Sequence, residues 1–311
     1  MELEARHLAE LTFPEVSRAL RALSSAYVER RATLAGGAAL SGAGKRAAFA
    51  LFYAPLHYLL IAHIVRQLPG AIEPIPTLVD LGCGTGASGA AWSCQVSDTR
   101  QIVAIDRHPW AVAEAAATYR MFGLRAKTRV ADIATAKLPA GPAAILAAFT
   151  LNEMADSERD ALLDTLLERA SRGDRVLIVE PVAGFVARWW NRWRDQVERA
   201  GGRADEWRVR TELPPIVAKL DRAAGLNHRE ITGRSLWLGS PAKAGRYVPD
   251  RDRSHSMSRS SGQQLTIRSV GTPARRACAM AVSTYASSRV ECASLSSANR
   301  HSAAIARFAS S

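Results

Sequence analysis

The stretch TLVDLGCGTG, residues 77–86, decides how the rest of the chain is organised. It runs from a short apolar segment through Asp80 into three glycines at alternate positions, Gly82, Gly84 and Gly86. This order predicts a buried strand, a tight turn and the first turn of a helix. Because glycine adopts positive φ and has no side chain, a ligand can lie directly against the turn. The unit therefore predicts a nucleotide-like ligand at the carboxyl edge of a parallel sheet.

Apolar segments and helical patterns alternate after this turn. The predicted strands are residues 77–81, 101–106, 128–131, 143–149 and 175–180. The predicted helices are residues 87–94, 109–121, 157–170, 182–200 and 213–224, the third of them capped by Ser157 with Asp160. Residues 228–231 and 235–238 are predicted to form a hairpin around Gly233. The alternation predicts an α/β fold with a mostly parallel sheet and helices on both faces.

The chain divides into three predicted parts. Residues 1–70 read as a helical cap, because Val16, Leu20, Leu23 and Tyr27 recur at spacings of three and four. This cap either packs on the sheet or also covers the ligand site. Residues 71–240 form the ligand-binding domain. Residues 241–311 are a Ser/Ala/Arg-rich tail that we expect to be disordered, with contact to RNA as an alternative.

Composition restricts the class of partner. The net charge of +12 falls mainly on residues 241–311, so the remainder is only mildly basic and does not by itself indicate nucleic-acid binding. The apolar segment 48–65 is interrupted by Pro55 and predicts a buried helical hairpin rather than a membrane span. The four cysteines form no C-x-x-C pair, which predicts neither a zinc site nor a disulfide framework. With a charged N-terminus, these features predict a cytoplasmic protein without a membrane partner.

Two cofactors compete for the glycine-rich turn. Dinucleotide-binding folds use G-x-G-x-x-G, whereas this chain has G-x-G-x-G preceded by Asp80. A carboxylate there repels a pyrophosphate but suits the ammonium of a methionine moiety. The pattern D-x-G-x-G-x-G resembles motif I of the class I S-adenosylmethionine-dependent methyltransferases. That resemblance implies a Rossmann-like fold with a mostly parallel seven-stranded sheet, an N-terminal helical extension and S-adenosylmethionine as cofactor.

The resemblance also implies roles for residues at the next strand ends. Asp106 would accept both ribose hydroxyls, Asp132 would meet the adenine amino group, and Ile133 would lie beside the ring. The predicted cofactor-binding residues are Asp80, Gly82, Cys83, Gly84, Thr85, Gly86, Asp106, Arg107, Asp132, Ile133 and Phe149. The alternatives are that Asp106 caps a helix and that Asp132 is a turn residue. Cys83 is expected to present backbone rather than act as a nucleophile.

Asn152 and Glu153, after the fourth strand, are the candidate catalytic residues. Asn152 could accept a hydrogen bond from an attacking amine, and Glu153 could take a proton. Alternatively, Asn152 satisfies backbone groups in its loop and Glu153 pairs with an arginine. The helix containing residues 188–194, RWWNRWR, either packs its tryptophans in the core or contacts RNA. The predicted function is methyl transfer to an unidentified small-molecule or RNA acceptor; the sequence does not indicate the oligomeric state.

A second resemblance gives an alternative function. Residues 151–154 (LNEM), 179–181 (VEP) and 184–185 (GF) resemble methyltransferase-like proteins that assemble the small ribosomal subunit. That resemblance implies an RNA-binding assembly protein with little or no catalytic activity, and the small subunit as partner. Members usually carry a Cys-Pro-His motif and an iron–sulfur cluster. This chain lacks the motif, so no cluster and no other metal is predicted.

Overall fold

The structure, a computed structural model, describes residues 2–29, 40–96, 98–182, 187–239 and 290–292. Eight strands form one sheet in the order β3-β2-β1-β4-β5-β7-β6-β8. They are β1 (Ile75–Leu81), β2 (Thr99–Asp106), β3 (Ala126–Val130), β4 (Ala144–Ala148), β5 (Arg175–Glu180), β6 (Arg203–Thr211), β7 (Ile231–Leu238) and β8 (Val290–Cys292). The first five are parallel, while β7 runs antiparallel to both β5 and β6. The predicted mostly parallel seven-stranded α/β sheet is confirmed, and β8 extends it by one short strand.

Nine α-helices surround this sheet in the described part of the chain. They are α1 (Glu2–His7), α2 (Phe13–Glu29), α3 (Ala43–Ala48), α4 (Ala54–Gln67), α5 (Ala87–Gln95), α6 (Pro109–Met121), α7 (Asp156–Ser171), α8 (Trp190–Arg199) and α9 (Pro215–Ala223). Side chains of α2 to α6 and α9 build one hydrophobic cluster, and those of α7 and α8 build another. Successive residues of β1 enter opposite clusters, because strand side chains alternate: Leu78 joins the first and Val79 the second. The sheet is therefore covered on both faces.

The N-terminal helices share a core with the sheet. Val16, Leu20 and Leu23 are fully buried in the same cluster as Leu78 of β1. This confirms the apolar face predicted for the three residues, while the side chain of Tyr27 lies outside the described residues. The division of the chain at residues 70 and 240 stays a prediction.

Residues Ala43–Gln67 form one helix rather than the predicted hairpin. A π-helical turn, Phe49–Tyr53, links α3 to α4, and Pro55 follows in the first turn of α4. The wider turn accommodates a proline, which has no N–H to contribute to the helical ladder, so the helix continues through it. By length and composition this helix could cross a membrane, yet 83% of its apolar window is buried inside the protein.

Three local predictions are wrong. The hairpin around Gly233 is absent, because residues 231–238 are one strand, β7, paired with β5 and β6. Strand β6 was not predicted, since it is rich in charge and only Trp207 and Val209 are buried in it. Helix α7 follows Ala155 without a side-chain cap, so Ser157 and Asp160 lie inside the helix.

Other predictions were only partly met. The predicted helix 182–200 is regular over Trp190–Arg199, and residues 183–186 lie outside the described part. Most of the predicted tail also lies outside it, but residues 290–292 pair with β6.

Leu20→Ala tests whether the cap and the sheet unfold as one unit. Removing a fully buried leucine should lower the free energy of unfolding by about 2–5 kcal/mol. Urea denaturation followed by circular dichroism measures this change. Arg18→Ala, on the exposed face of α2, is the matched control and should change it by less than about 0.5 kcal/mol. A separate early transition in the Leu20→Ala variant would contradict the shared core.

Candidate active site

The glycine-rich turn lies at the carboxyl end of β1, which pairs with β2 on one side and β4 on the other. The chain winds outward in both directions from this point, and α/β sheets bind ligands at such a switch. Gly82, Gly84 and Gly86 all have positive φ, at 65°, 51° and 76°. Side chains would also not fit: a Cβ on Gly82 would lie 2.1 Å from Oγ1 of Thr150. The turn is thus held in place by packing as well as by conformation.

A cleft opens beside this turn. It is lined by Gly82, Asp106, Arg107, Asp132, Ile133, Thr150, Glu153, Met154 and Glu158. Six of these residues were predicted site residues. Thr150 and Met154 were missed although they flank the predicted catalytic pair in the same loop. Glu158, in the first turn of α7, had no sequence signal.

The remaining predicted site residues do not line the cleft: Asp80, Cys83, Gly84, Thr85, Gly86, Phe149 and Asn152. Cys83 and Thr85 are buried, and Gly84 forms the outer part of the turn. The thiol of Cys83 stays neutral, because burial raises its pKa well above the usual value. This matches the expectation that Cys83 presents backbone and is not a nucleophile.

Cys94, on α5, is disulfide-bonded. Sequence spacing did not predict this bond, because spacing does not show which cysteines approach each other.

Asp106 fixes the floor of the cleft. Its Oδ2 accepts a hydrogen bond from the Gly84 amide at 2.9 Å, and its Oδ1 accepts one from the His108 amide at 2.8 Å. A carboxylate offers about four acceptor positions, so each oxygen keeps capacity for a further donor. Ligand hydroxyls can therefore bind here without displacing the bonds that shape the turn. Helix α6 is capped instead by the His108 side chain, which accepts from the Trp110 amide.

Three other charged residues that line the cleft are Asp132, Arg107 and Glu153. Asp132 is exposed, and its Oδ1 accepts from the Ala134 amide at 2.9 Å in a tight turn, while Ile133 packs on the second hydrophobic cluster. Arg107 pairs with Glu153 at 2.9 Å, joining the end of β2 to the loop after β4. Burial raises the pKa of Glu153 and the Arg107 charge opposes this rise. Glu153 thus has the arginine partner that one alternative from the sequence gave it, and its role as a proton acceptor stays a prediction.

Asp80 lies beneath the turn rather than in the cleft. It is 1% exposed, and its Oδ2 accepts from the Tyr119 hydroxyl at 2.7 Å. A Cβ on Gly89 would lie 2.4 Å from the same oxygen, so the glycine makes room for this carboxyl. Burial raises the pKa of Asp80 to about 6, although the Tyr119 and Gly89 hydrogen bonds act in the opposite direction. The predicted contact between Asp80 and a ligand ammonium is therefore not available in this arrangement, because helices α5 and α6 cover the carboxyl.

Asn152 holds the loop after β4 to the core. Its Nδ2 donates to Oε2 of Glu180 at 2.5 Å, and its Oδ1 accepts from Nε1 of Trp189 at 3.0 Å. Glu180 is fully buried and also accepts from the Leu151 amide. Arg159 adds bonds to the carbonyls of Leu151 and Met154. Both ends of the Asn152 amide thus bond to other side chains, rather than to the backbone groups of its loop, and its Oδ1 keeps a second acceptor position.

The three tryptophans in and just before helix α8 are buried. Trp189, Trp190 and Trp193 are 8%, 5% and 0% exposed. Buried rings cannot stack on RNA bases, so the helix matches the core-packing alternative. Its arginines bond to neighbouring acids, as Arg192 does to Asp160 and Arg194 to Asp195.

Aromatic side chains close the opposite side of the turn. The edge of the Phe49 ring lies 3.5 Å from where a Gly84 Cβ would stand. His57 stacks on Phe149 with ring centroids 3.9 Å apart. Phe149 has φ of 59°, a strained value for a residue with a side chain, which turns the chain sharply after β4. The cap therefore contacts the glycine-rich turn and Phe149 as well as packing on the sheet, and its role in covering the ligand site stays a prediction.

The cleft suits S-adenosylmethionine in chemistry but must open to admit it. The donor and acceptor set fits, with a carboxylate pair at the ends of β2 and β3 and bare backbone at the turn. The cavity itself measures about 70 Å³, whereas ligand pockets usually measure about 300–1,000 Å³. The cleft is therefore expected to widen when a ligand of this size binds.

The ionisation of Asp80 should be measurable from how the free energy of unfolding changes with pH. The folded-state pKa of about 6 lies above the unfolded value of 3.8, so the folded protein retains a proton between these values. Stability should therefore fall as pH rises from about 4 to about 6 and then level off. Relative to Asp80→Asn, the wild type should lose about 3 kcal/mol over this window, measured by urea unfolding at each pH.

Tyr119→Phe provides the matched comparison. It removes a hydrogen bond that lowers the pKa of Asp80, so the fall in stability should extend to higher pH. A wild-type profile parallel to that of Asp80→Asn would contradict the buried, titrating carboxyl.

Comparison with known proteins gives one family match. Residues 78–173 match a family model described as a methyltransferase domain. A search of curated proteins finds no match. The matched residues begin in β1 and end after α7, so they include the turn, the cleft and the loop after β4.

Several solved structures are similar to this chain. A putative RNA methyltransferase from Pyrococcus horikoshii has 14% identity and a TM-score of 0.38 over 60% of this chain and 83% of that one. The mitomycin 7-O-methyltransferase MmcR has 14% identity and a TM-score of 0.45 over 76% and 71%. The N-methyltransferase NodS from Bradyrhizobium japonicum, in complex with S-adenosyl-L-homocysteine, has 11% identity and a TM-score of 0.40 over 58% and 87%. At these identities and TM-scores the likenesses carry no argument about the acceptor.

The segment that matches the family model is also the segment that builds the cleft. The strand order places the glycine-rich turn at the switch point, and acidic residues follow β2 and β3 at the cleft. The family-model match covers this whole unit. Residues 78–173 are therefore similar to a methyltransferase domain, and this similarity includes the glycine-rich turn, the cleft and the loop after β4.

Proposed function

We propose that this methyltransferase holds S-adenosylmethionine in the cleft beside Gly82 and passes its methyl group to an acceptor entering between the loop 149–154 and the N-terminal cap. The observation that carries this proposal is Asp106. Its carboxylate is fixed by the Gly84 and His108 amides, yet it still faces the cleft with acceptor capacity. A rigid carboxylate beside a bare glycine turn suits the paired hydroxyls of a ribose.

Other residues would place the remaining parts of the cofactor. Asp132 and Ile133 offer a polar and an apolar contact at the next strand end. When bound, the cofactor supplies a methyl group already activated on a sulfonium, so the protein's task is chiefly to align the acceptor and exclude water. Glu153 lies at the cleft, and its raised pKa suits a carboxyl that takes a proton from an attacking group.

In this proposal the loop after β4 holds Glu153 in place at the cleft. Asn152 bonds to Glu180 and Trp189, so it acts as a positioning residue that fixes the neighbouring Glu153. This replaces the direct catalytic role weighed for Asn152 from the sequence. The acceptor remains either a small molecule or RNA, and a cytoplasmic location remains a prediction.

Cofactor binding tests the first half of the proposal. Isothermal titration of S-adenosylmethionine into the full chain should give saturable binding. Asp106→Asn loses the charge while keeping one acceptor oxygen, so its affinity should fall by at least about tenfold, because hydrogen bonds to charged groups are the stronger ones. Asp195→Asn, on the exposed surface of α8, is the matched control and should bind like the wild type. No saturable binding by a folded wild-type chain would overturn the proposal.

Methyl transfer to an acceptor tests the second half. Extract from cells lacking the protein is incubated with the purified chain and cofactor labelled in the methyl group, then separated into RNA, protein and small-molecule fractions. Label should accumulate in one fraction and fall with Glu153→Gln more than with Glu168→Gln, an exposed control. Equal labelling with and without the chain would contradict catalysis.

A non-catalytic role in small-subunit assembly is the second candidate. It rests on the sequence resemblance of residues 151–154, 179–181 and 184–185, among which Asn152 and Leu151 both bond to Glu180. This role predicts co-sedimentation with small ribosomal subunits that is unaffected by Glu153→Gln. Absence of the chain from the subunit fractions would remove the candidate.

A further inference from the structure

The edge strand β3 and the loop after it carry a row of exposed cations. Arg125, Lys127 and Arg129 occupy alternate positions, so their side chains point to one face of the sheet. Lys137 adjoins them, because its carbonyl accepts a hydrogen bond from Arg129 at 2.9 Å. All four residues are exposed, and none forms an ion pair with another residue that the structure describes. We call these four residues the basic row.

The charge of this part of the chain is one-sided. Between Glu114 and Glu153 there are five cations, namely the basic row and Arg120, but Asp132 is the only acid. Several arginines of α7 and α8, in contrast, pair with acidic side chains. The positive potential along the basic row is therefore not cancelled by neighbouring carboxylates, and it favours an anionic partner.

The fold leaves the basic row uncovered. Each of the other connections between parallel strands contains a helix, α5, α6 or α7, whereas residues 131–143 between β3 and β4 contain none. Lys127 pairs in the sheet with Val103, which packs on the second hydrophobic cluster. Arg129 pairs with Ile105, which belongs to the same cluster. The row therefore stands on that face of the sheet, beside a loop instead of a helix.

The row ends beside the cleft. Asp132 and Ile133, three and four residues after Arg129, line the cleft, and Ile133 packs on the same hydrophobic cluster. The cleft itself has four carboxyl groups among its lining residues, against the one guanidinium of Arg107. These carboxylates repel phosphates. A chain of phosphates held by the row would therefore pass along the mouth of the cleft and not through it.

We propose that the basic row holds the phosphodiester backbone of an RNA acceptor and so directs one of its unpaired bases to the entrance beside the loop 149–154. This inference rests on the proposed function and chooses RNA from the two acceptor classes left open there. Strands β3 and β4 are three strand spacings apart, about 14 Å, which a few nucleotides span. The base must be unpaired, because an enzyme cannot reach its target atom inside a duplex. RNA loops and ends supply such bases.

The strand itself adds a second kind of phosphate contact. Among the described strands β3 pairs only with β2, so its outer side keeps backbone N–H groups that are not used in the sheet. Backbone N–H groups, like arginine and lysine side chains, bind phosphate oxygens. The row and the strand edge thus offer charge and hydrogen-bond donors along one line.

RNA binding by matched variants tests the inference. Fluorescence anisotropy measures binding of the full chain to a labelled oligouridine of about 20 nucleotides, longer than a usual single-strand site. Arg125→Gln combined with Lys127→Gln should weaken binding by about tenfold. It should also make the slope of log affinity against log salt concentration shallower by about 1.4, since each phosphate contact contributes about 0.7. Arg18→Gln combined with Arg222→Gln removes the same charge from exposed positions of α2 and α9, which pack on the other hydrophobic cluster, and should bind like the wild type.

Three further measurements separate the possible results. Both double variants should bind S-adenosylmethionine like the wild type, because none of the substituted residues lines the cleft. Equal RNA affinities of the two double variants would overturn the basic row while cofactor binding keeps the proposed function standing. Self-association of the row variant in sedimentation, without loss of RNA affinity, would show that the charges only guard an edge strand and would also overturn it. Tighter binding of oligothymidine than of oligouridine would overturn RNA as the partner, and a wild type that does not bind the cofactor would overturn the proposed function itself.

Discussion

The site depends on how closely the rest of the protein approaches the turn between β1 and α5. Thr150 packs where a side chain on Gly82 would stand, and Asp80 packs where one on Gly89 would stand. These approaches bring β1, β4 and α5 into a fixed relation, and the Asp106 carboxylate locks the end of β2 to the same turn. Close packing of this kind leaves few alternative arrangements. The shape of the cleft is therefore set by the packing of the residues beneath it.

The sequence predicted best the elements whose ends carry local signals. Helix α6 has the predicted bounds because Pro109 starts it and Gly123 follows its end with positive φ. Strand β6 was missed because its charged residues form an edge-side strand whose pairing with β7 spans α9 in sequence. Long-range pairing of this kind has no local signature. The π-helical turn was likewise unpredictable, since it depends on how the helix packs around Pro55.

The same limits apply to the site. Asp106 and Asp132 both line the cleft, because parallel strands bring their carboxyl ends to one edge. Asp80 was misplaced because its side-chain direction was not considered: it shares a face of β1 with Leu78, which packs toward α5 and α6. The roles of Asn152 and Glu180 could not be read from spacing, because a hydrogen bond across 28 residues is set by the tertiary fold. The predicted roles of the cofactor residues themselves stay predictions.

The N-terminal cap contacts the glycine-rich turn although it lies outside the segment that matches the family model. The family match begins at residue 78, yet Phe49 and His57 reach the turn and the residue after β4. Cap and domain share one hydrophobic cluster, so the cap is positioned as firmly as the sheet.

A crystal structure of the full chain with S-adenosylhomocysteine tests the central claim most directly. We expect both ribose hydroxyls within about 2.5–3.0 Å of the Asp106 carboxylate oxygens, the usual range for such hydrogen bonds. The adenine should lie beside Ile133, and the cleft should be wider than it is here. A ligand bound elsewhere, or a ribose that does not contact Asp106, would contradict this account of the site.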